Sequence, residues 1–369
     1  NAEDVLHPFF ASPNVRTIAI LSDEEYAAHV ENHADLSRLS QKIQIPSLES
    51  AYVKELLKSS YDESMHDVID EVVDKTEHIS PHVSHQKRAA VMMEELIAAK
   101  TLHPSHVTHH VSKKVGIDME RLREAHLLNI EQALRRFVVN QKQALQHVAH
   151  AFVRARNKPG FKKHPIASLF FHGPAGVGKT ETAKALAHIY FGSSKRLVSI
   201  DMAAYAGELP AIITDYPYFV VLLTNFEQSS REAQEQLISA FRNGYVTDVH
   251  GRKYFTTHMI IVAESSVGDT NAYSEELLAS FDGIIAFTNL SEKHVQLVAR
   301  RILARLNGRL QIEHNVSLEV PDSLVEYLVQ TGYNTTAIES AVMQTVSQGK
   351  VVPGGKILLD KAALERYIT

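Results

Sequence analysis

The sequence contains no cysteine among its 369 residues. That excludes a disulfide framework, thiol catalysis and cysteine-ligated zinc, and it agrees with a reducing compartment. Long hydrophobic runs are missing too: the most apolar stretches, residues 218–223 and 259–263, fall far short of the roughly 20 residues that cross a bilayer. The first residues lack the charged-then-apolar order of a secretion signal. A cytoplasmic protein with no membrane partner is therefore expected. Charge of one sign is not in excess either, since 38 basic and 43 acidic residues leave a formal charge of -5, which gives no general drive toward nucleic acid. There is no internal repeat of roughly 20–50 residues and no low-complexity tract. With 44% hydrophobic and 22% charged residues, the chain reads as globular, with room for about two or three cores.

Histidine is plentiful, with 21 copies, and His103, His106, His109 and His110 crowd the stretch TLHPSHVTHHVSKK. No carboxylate or i,i+4 pattern organises all four as ligands, so they read as a solvated loop and helix start, and no metal is assigned to them. A basic run comprises Arg154, Arg156, Lys158, Lys162, Lys163 and His164. Without interleaved aromatics it reads as a solvated edge rather than a nucleic-acid surface.

Residues 15–21 and 42–45 have the apolar texture of short strands, with a helix opening on Ser22 between them. From Ser47 to about His110 the pattern is helical, and Ala89, Met92, Met93, Leu96 and Ile97 are expected on one face. A turn at Gly116 precedes a long amphipathic stretch over about 119–156. Beyond the NKPG at 157–160, apolar strand-like runs at 169–172, 197–200, 219–223, 259–263 and 283–287 alternate with helical segments. That alternation predicts right-handed crossovers and a parallel sheet covered on both faces, an α/β fold. Helical segments at 292–310 and 322–330 and a strand-like GKILLD close the chain.

The sharpest motif is Gly173-Pro174-Ala175-Gly176-Val177-Gly178-Lys179-Thr180, a full G-x-x-x-x-G-K-[ST] match between the strand SLFFH and the helix TETAKALAHIYF. The glycines let backbone N–H groups surround a phosphate, and the helix start adds partial positive charge. Lys179 is predicted to reach the β- and γ-phosphates, and the Thr180 hydroxyl to hold Mg2+. Glu181 follows in the first helical turn. ATP or ADP with Mg2+ is the expected cofactor.

Hydrolysis needs more: a carboxylate at the end of a neighbouring strand, a group that positions water, and positive charge on the γ-phosphate. At the end of YFVVLL the sequence reads Thr224-Asn225, neither of them charged. Glu227, two positions on, is a weak candidate for a base. Loss of a general base removes about 10²- to 10⁴-fold in rate.

These residues resemble the Clp-type AAA+ unfoldases and disaggregases of the heat-shock-100 class, over nearly the whole chain. VRTIAILSDEEYAAHVENHADLSRLSQKIQI is similar to the end of a first ATPase module. VGIDMERLREAHLLNIEQALRRFVVNQKQALQHVAHAFVRARN is similar to the opening of a second, and SIDMAAY, YFVVLLTNFEQ, NGYVTDVHGR, ELLASFDGIIAF and TGYNTT follow the family's order. The resemblance implies an AAA+ P-loop core with small helical subdomains. It divides the chain at 1–46 (tail of a first large subdomain), 47–112 (its small helical subdomain), 113–130 (linker), 131–290 (second ATP-binding subdomain) and 291–369 (second small subdomain). It places Val138 and Val139 against adenine, with Asn140 in place of a usual glycine.

It also implies where this chain departs. Thr224 and Asn225 stand at the acidic pair, Ser266 at the sensor asparagine, and Ser280 at the segment carrying an arginine finger. No arginine follows Gly332-Tyr333-Asn334. In the first module Arg38 stands at one finger position and Leu39 at the next. The segment AGELPAIITD carries no aromatic pore loop, and the small subdomain near Thr336 is about a dozen residues short. The implied function is an ATP-binding module impaired in hydrolysis, working in a ring of its own or related AAA+ subunits on protein clients. The alternative is an active unfoldase driven by another module or by unorthodox groups such as Glu227 or Glu264.

Overall fold

The computed structural model describes residues 16–21, 23–26, 30, 33–43, 45, 48–77, 83–119, 129–157, 164–205, 207, 209–215, 218–247, 253–319, 321, 325, 326 and 356–358. Ser22, Lys158, Lys162, Lys163, Gly332, Tyr333, Asn334 and Thr336 lie outside them.

The first helices among the described residues are two short ones, α1 (Asp23–Tyr26) and α2 (Ala34–Leu39). The expected strands around them do not form over the described residues 16–21, 42, 43 and 45. Ile18, Ile20, Ile43 and Ile45 are each at least 80% exposed. A strand needs a neighbour for its N–H and C=O groups, and no described strand pairs with these segments.

Four helices follow: α3 (Ser50–Ser60), α4 (His66–Thr76), α5 (His85–Ala98) and α6 (Pro104–Val115). Their buried residues recur at three- and four-residue spacing, as in Val68, Ile69, Val72 and Val73 and again in Ala89, Met92, Met93 and Leu96, and they close one apolar cluster. Ile97, expected on that face, is 37% exposed; it lies beyond the edge of the stripe. His103 caps α6 by accepting from the Ser105 N–H at 3.2 Å, and Pro104 occupies the first helical turn, where a missing N–H costs nothing. The amphipathic stretch at 119–156 is interrupted in its described part. α7 (Ile130–Leu134) and α8 (Lys142–Asn157) flank a turn in which Asn140 adopts a left-handed conformation, φ 51°, and this turn proves important for the site.

The centre is a five-stranded parallel sheet in the order β2-β3-β6-β1-β7, formed by β1 (Ala167–His172), β2 (Leu197–Asp201), β3 (Val220–Thr224), β6 (Ile260–Ser265) and β7 (Gly283–Ala286). All five runs expected as strands are in it. Because successive side chains point to opposite faces, the strands feed two cores. Leu169, Phe171, Val220, Leu222, Ile260, Val262 and Ile285 pack with α8 and with α9 (Lys179–Phe191). Phe170, Val221, Leu223, Ile261 and Ala263 pack on the other side with α10 (Leu209–Asp215), α11 (Arg231–Asn243) and α12 (Glu275–Ser280). On that second side Phe170 lies 5.0 Å from the Tyr273 ring, 5.5 Å from Phe281 and 5.8 Å from Phe226.

β4 (Tyr245–Thr247) pairs antiparallel with β5 (Lys253–Phe255), which the sequence pattern does not predict. The strand expected in GKILLD forms as β9 (Lys356–Leu358), and its parallel partner is the unexpected β8 (Ser317–Glu319), after the long α13 (Glu292–His314). The helical cluster of α3–α6 is tied to the sheet through Arg196, whose guanidinium donates to the carbonyls of Val115 at 3.1 Å and Gly116 at 2.9 Å. No helix among the described residues is long and apolar enough to cross a membrane.

Candidate nucleotide-binding site

The site forms where β1 ends and α9 begins. Between them the loop turns through three glycines with positive φ: Gly173 at 130°, Gly176 at 76° and Gly178 at 106°. At Gly173 the constraint is absolute, because a Cβ there would lie 2.3 Å from the carbonyl oxygen of Phe287. The loop start therefore runs directly against the end of β7, where the Phe287 N–H donates to the His172 carbonyl at 2.8 Å. Pro174, Ala175 and Gly176 form an exposed tip, while Val177 and Lys179 are buried.

Lys179 is 3% exposed and its ammonium donates to the carbonyls of Gly173 and Pro174, both at 2.7 Å. Burial pushes its pKa below the usual lysine value, with Glu264 and Glu227 acting in the opposite sense. Two carboxylates therefore sit within electrostatic reach of this lysine. The Thr180 hydroxyl bonds to both oxygens of Glu264, at 2.9 and 3.2 Å. Glu181, next in the helix, accepts from Arg305 of α13 at 3.1 Å.

The residues that the resemblance places at catalytic positions each have partners of their own. The Thr224 hydroxyl donates to the Ile200 carbonyl at 3.2 Å. Asn225, left-handed at φ 51°, donates its amide to Asp201 at 2.9 Å. That bond, with one from the Ala203 N–H, holds the Asp201 carboxyl below its ordinary pKa. The Ser266 hydroxyl donates to Glu227 at 2.5 Å. Burial alone would raise the Glu227 carboxyl, but bonds from Ser266 and from its own backbone N–H outweigh it and leave it lowered. Ser280 turns back on its own helix, donating to the Leu277 carbonyl at 2.6 Å.

On the far side of the loop stand residues 138–141. Val138 is buried, and its Cγ1 is 3.5 Å from where a Cβ on Gly178 would be; Val139 beside it is half-buried. Asn140 pairs with His294 at the start of α13, 2.9 Å away. Gln141, a residue to which the sequence pattern assigns no role, is 3% exposed and ties three segments together. Its amide donates to Val177 in the loop at 3.1 Å and to Thr288 after β7 at 2.7 Å, and its oxygen accepts from the Thr288 N–H at 3.3 Å. Gln141→Ala leaves buried carbonyls unpaired, so it is expected to cost about 1–3 kcal/mol in urea unfolding and to weaken nucleotide binding in the same sample.

A parallel sheet whose strand runs into a glycine-rich loop, a buried lysine and a helix N-terminus has the architecture of a P-loop nucleotide-binding core. The homologues of the chain are Clp-type ATPases. It is 27% identical to the chaperone protein ClpB of Vibrio vulnificus (strain YJ016) over 325 residues, covering 74% of this chain and 38% of that protein. To the chloroplastic chaperone ClpC4 of Oryza sativa subsp. japonica it is 27% identical, over 74% of this chain and 37% of the relative. The ATP-binding Clp protease subunit ClpE of Bacillus subtilis (strain 168) is 26% identical, over 73% and 45%. The chain thus spans less than half the length of each of these relatives. In fold it is similar to Hsp104 in the closed-state reconstruction with ATPγS and FITC casein, at a TM-score of 0.73 and 17% identity over 94% of this chain and 72% of that one. No protein-family profile matches the chain.

Proposed function

We propose that the chain is an ATP-binding, Clp-like AAA+ module that holds ATP or ADP with Mg2+ and is impaired in hydrolysing it. It acts within an oligomeric chaperone, unfoldase or nucleotide-stabilised scaffold of its own or related AAA+ subunits, in the cytoplasm, with proteins rather than nucleic acid or membrane as its clients. The observation that carries the reading is the contrast within one site. The loop of Gly173–Thr180 keeps its cradle, buried lysine and helix start, whereas the end of β3 offers uncharged Thr224 and Asn225, the latter drawn away to Asp201. The division of the chain into segments 1–46, 47–112, 113–130, 131–290 and 291–369 belongs to the same proposal.

On binding, the ammonium of Lys179 moves from the Gly173 and Pro174 carbonyls to phosphate oxygens, the loop N–H groups and the start of α9 face the same anion, and Val138 and Val139 line the base. Thr180 holds the metal. Mg2+ when bound neutralises phosphate charge. What this chain lacks is the completion of the reaction. An arginine supplied by a neighbour contributes about 10³–10⁵-fold in related phosphoryl transfers, and Ser280 has neither charge nor reach for it.

A ligand that binds only the assembled state stabilises that state by mass action. The expected result is that molar mass by light scattering rises on adding ATPγS and stays low for Lys179→Ala; equal masses with and without nucleotide would contradict a nucleotide-held assembly. A second reading, a working unfoldase, draws support from Glu227 and Glu264, both of which act on Lys179.

A further inference from the structure

We propose that Glu264 is the carboxylate that anchors the nucleotide's magnesium ion, a task moved from the end of β3 to the end of the adjacent strand β6. The inference rests on the nucleotide-binding reading above and names the group that serves it.

β6 lies between β3 and β1, and in the register of β1 with β6 Glu264 sits opposite Phe171, two residues before the loop. The end of β6 is thus the nearest strand end to the loop on that side, nearer than the end of β3. Strand alternation then decides the direction. Ile260 and Val262 face the α9 side, so Glu264, at the next position of the same parity, points to the start of α9. There its two carboxylate oxygens receive the Thr180 hydroxyl at 2.9 and 3.2 Å.

The donor set fits the metal. A hydroxyl and a carboxylate are oxygen ligands suited to a hard cation, and Mg2+ keeps several waters and takes only one or two carboxylates beside the phosphates. Both residues are half-buried, which leaves room for that water. The other acidic residues nearby are engaged elsewhere, since Glu227 accepts from Ser266 and Glu181 from Arg305. A carboxylate facing a triphosphate without a cation between them repels it. Position 264 therefore favours nucleotide only when metal is present.

The test is calorimetric titration of ATPγS into the full chain, once in EDTA and once in Mg2+, for the wild type and Glu264→Gln. Mg2+ is expected to strengthen binding to the wild type. Glu264→Gln is expected to shrink that gain by about 10- to 100-fold, while its affinity in EDTA stays equal or rises because a negative charge has gone. A purely structural role for Glu264 would lower both affinities together. Glu264→Ala, read in the same two conditions, keeps the test open if the glutamine variant folds poorly. An undiminished Mg2+ gain in Glu264→Gln would overturn the assignment and leave the nucleotide site standing. No binding of ATPγS to the wild type in either condition would overturn the nucleotide site, and this inference with it.

Discussion

Replacing Lys179 by alanine is expected to lower the affinity for ATP by at least about 30-fold and up to several thousandfold. Those limits correspond to about 2–5 kcal/mol for truncating one partner of a buried, hydrogen-bonded charge pair. The lysine is 3% exposed and already desolvated, held by the Gly173 and Pro174 carbonyls. Much of the cost of burying its charge is thus met before the ligand arrives. A phosphate replaces two neutral acceptors with an anionic one, which adds Coulomb attraction to bonds that the ammonium already makes charge-assisted. Alanine removes this gain and leaves two loop carbonyls without their donor. Calorimetric titration of ATP, with a melting curve of the free protein as control, checks it. Wild-type affinity in the variant would remove the loop from the nucleotide site.

The second large effect is expected at Gly173. Alanine there meets two obstacles: a φ of 130°, which L-residues rarely adopt, and a Cβ placed 2.3 Å from the Phe287 carbonyl oxygen. Backbone strain of this kind costs about 1–3 kcal/mol, and overpacking against an immobile group about 1–3 kcal/mol more. The neighbour cannot give way freely. Phe287 is bonded through its N–H to His172, and Thr288 next to it is held by Gln141. Gly173→Ala is therefore expected to lose about 2–6 kcal/mol of stability, to lower Tm by about 2–4 °C for each of those, and to weaken ATP binding as the loop shifts. A variant with the Tm and affinity of the wild type would contradict the close approach of loop and β7.

The loop was legible in the sequence because everything that defines it is local: a strand, eight residues and a helix in one continuous stretch. The five strands of the sheet were legible for the same reason, as buried apolar runs of 169–172, 197–200, 219–223, 259–263 and 283–287. Their pairing order was not, and it governs the acidic groups. A sequence shows Glu264 five residues after Met259; only the placement of β6 beside β1 shows that its carboxylate meets Thr180. Gln141 was hidden similarly, since its partners Val177 and Thr288 are 36 and 147 residues away. The turn before it disappears in an amphipathic pattern that reads as one helix, because Asn140 signals a left-handed break only weakly. The strand-like runs at 15–21 and 42–45 misled in the opposite direction: their apolar residues are exposed over the described positions and pair with no described strand. Apolar texture states that a segment is suited to a sheet, not that a sheet is there to receive it.

The same distinction applies to the chemistry. Thr224 and Asn225 leave the end of β3 without charge, yet the site as a whole is not without carboxylates, because Glu227 and Glu264 both act on Lys179. In the function proposed above, binding and turnover therefore separate. The anion cradle is complete within the chain, and the metal has a candidate anchor in Glu264. On that reading, the positions that would activate water and stabilise the leaving charge are the ones replaced, at Thr224, Asn225 and Ser280. Glu227, lowered in pKa and bonded to Ser266, is a poorer base than a free carboxylate, since efficiency as a base follows pKa.

The most direct test of this account is to measure ATP affinity and phosphate release on the same purified sample over a range of protein concentrations. The expected result is saturable, Mg2+-strengthened binding that Lys179→Ala weakens by at least about 30-fold, with no phosphate release above background at any concentration. Release that rises with protein concentration and vanishes in Lys179→Ala would contradict it, and would identify the chain as a working motor whose missing groups come from its neighbours.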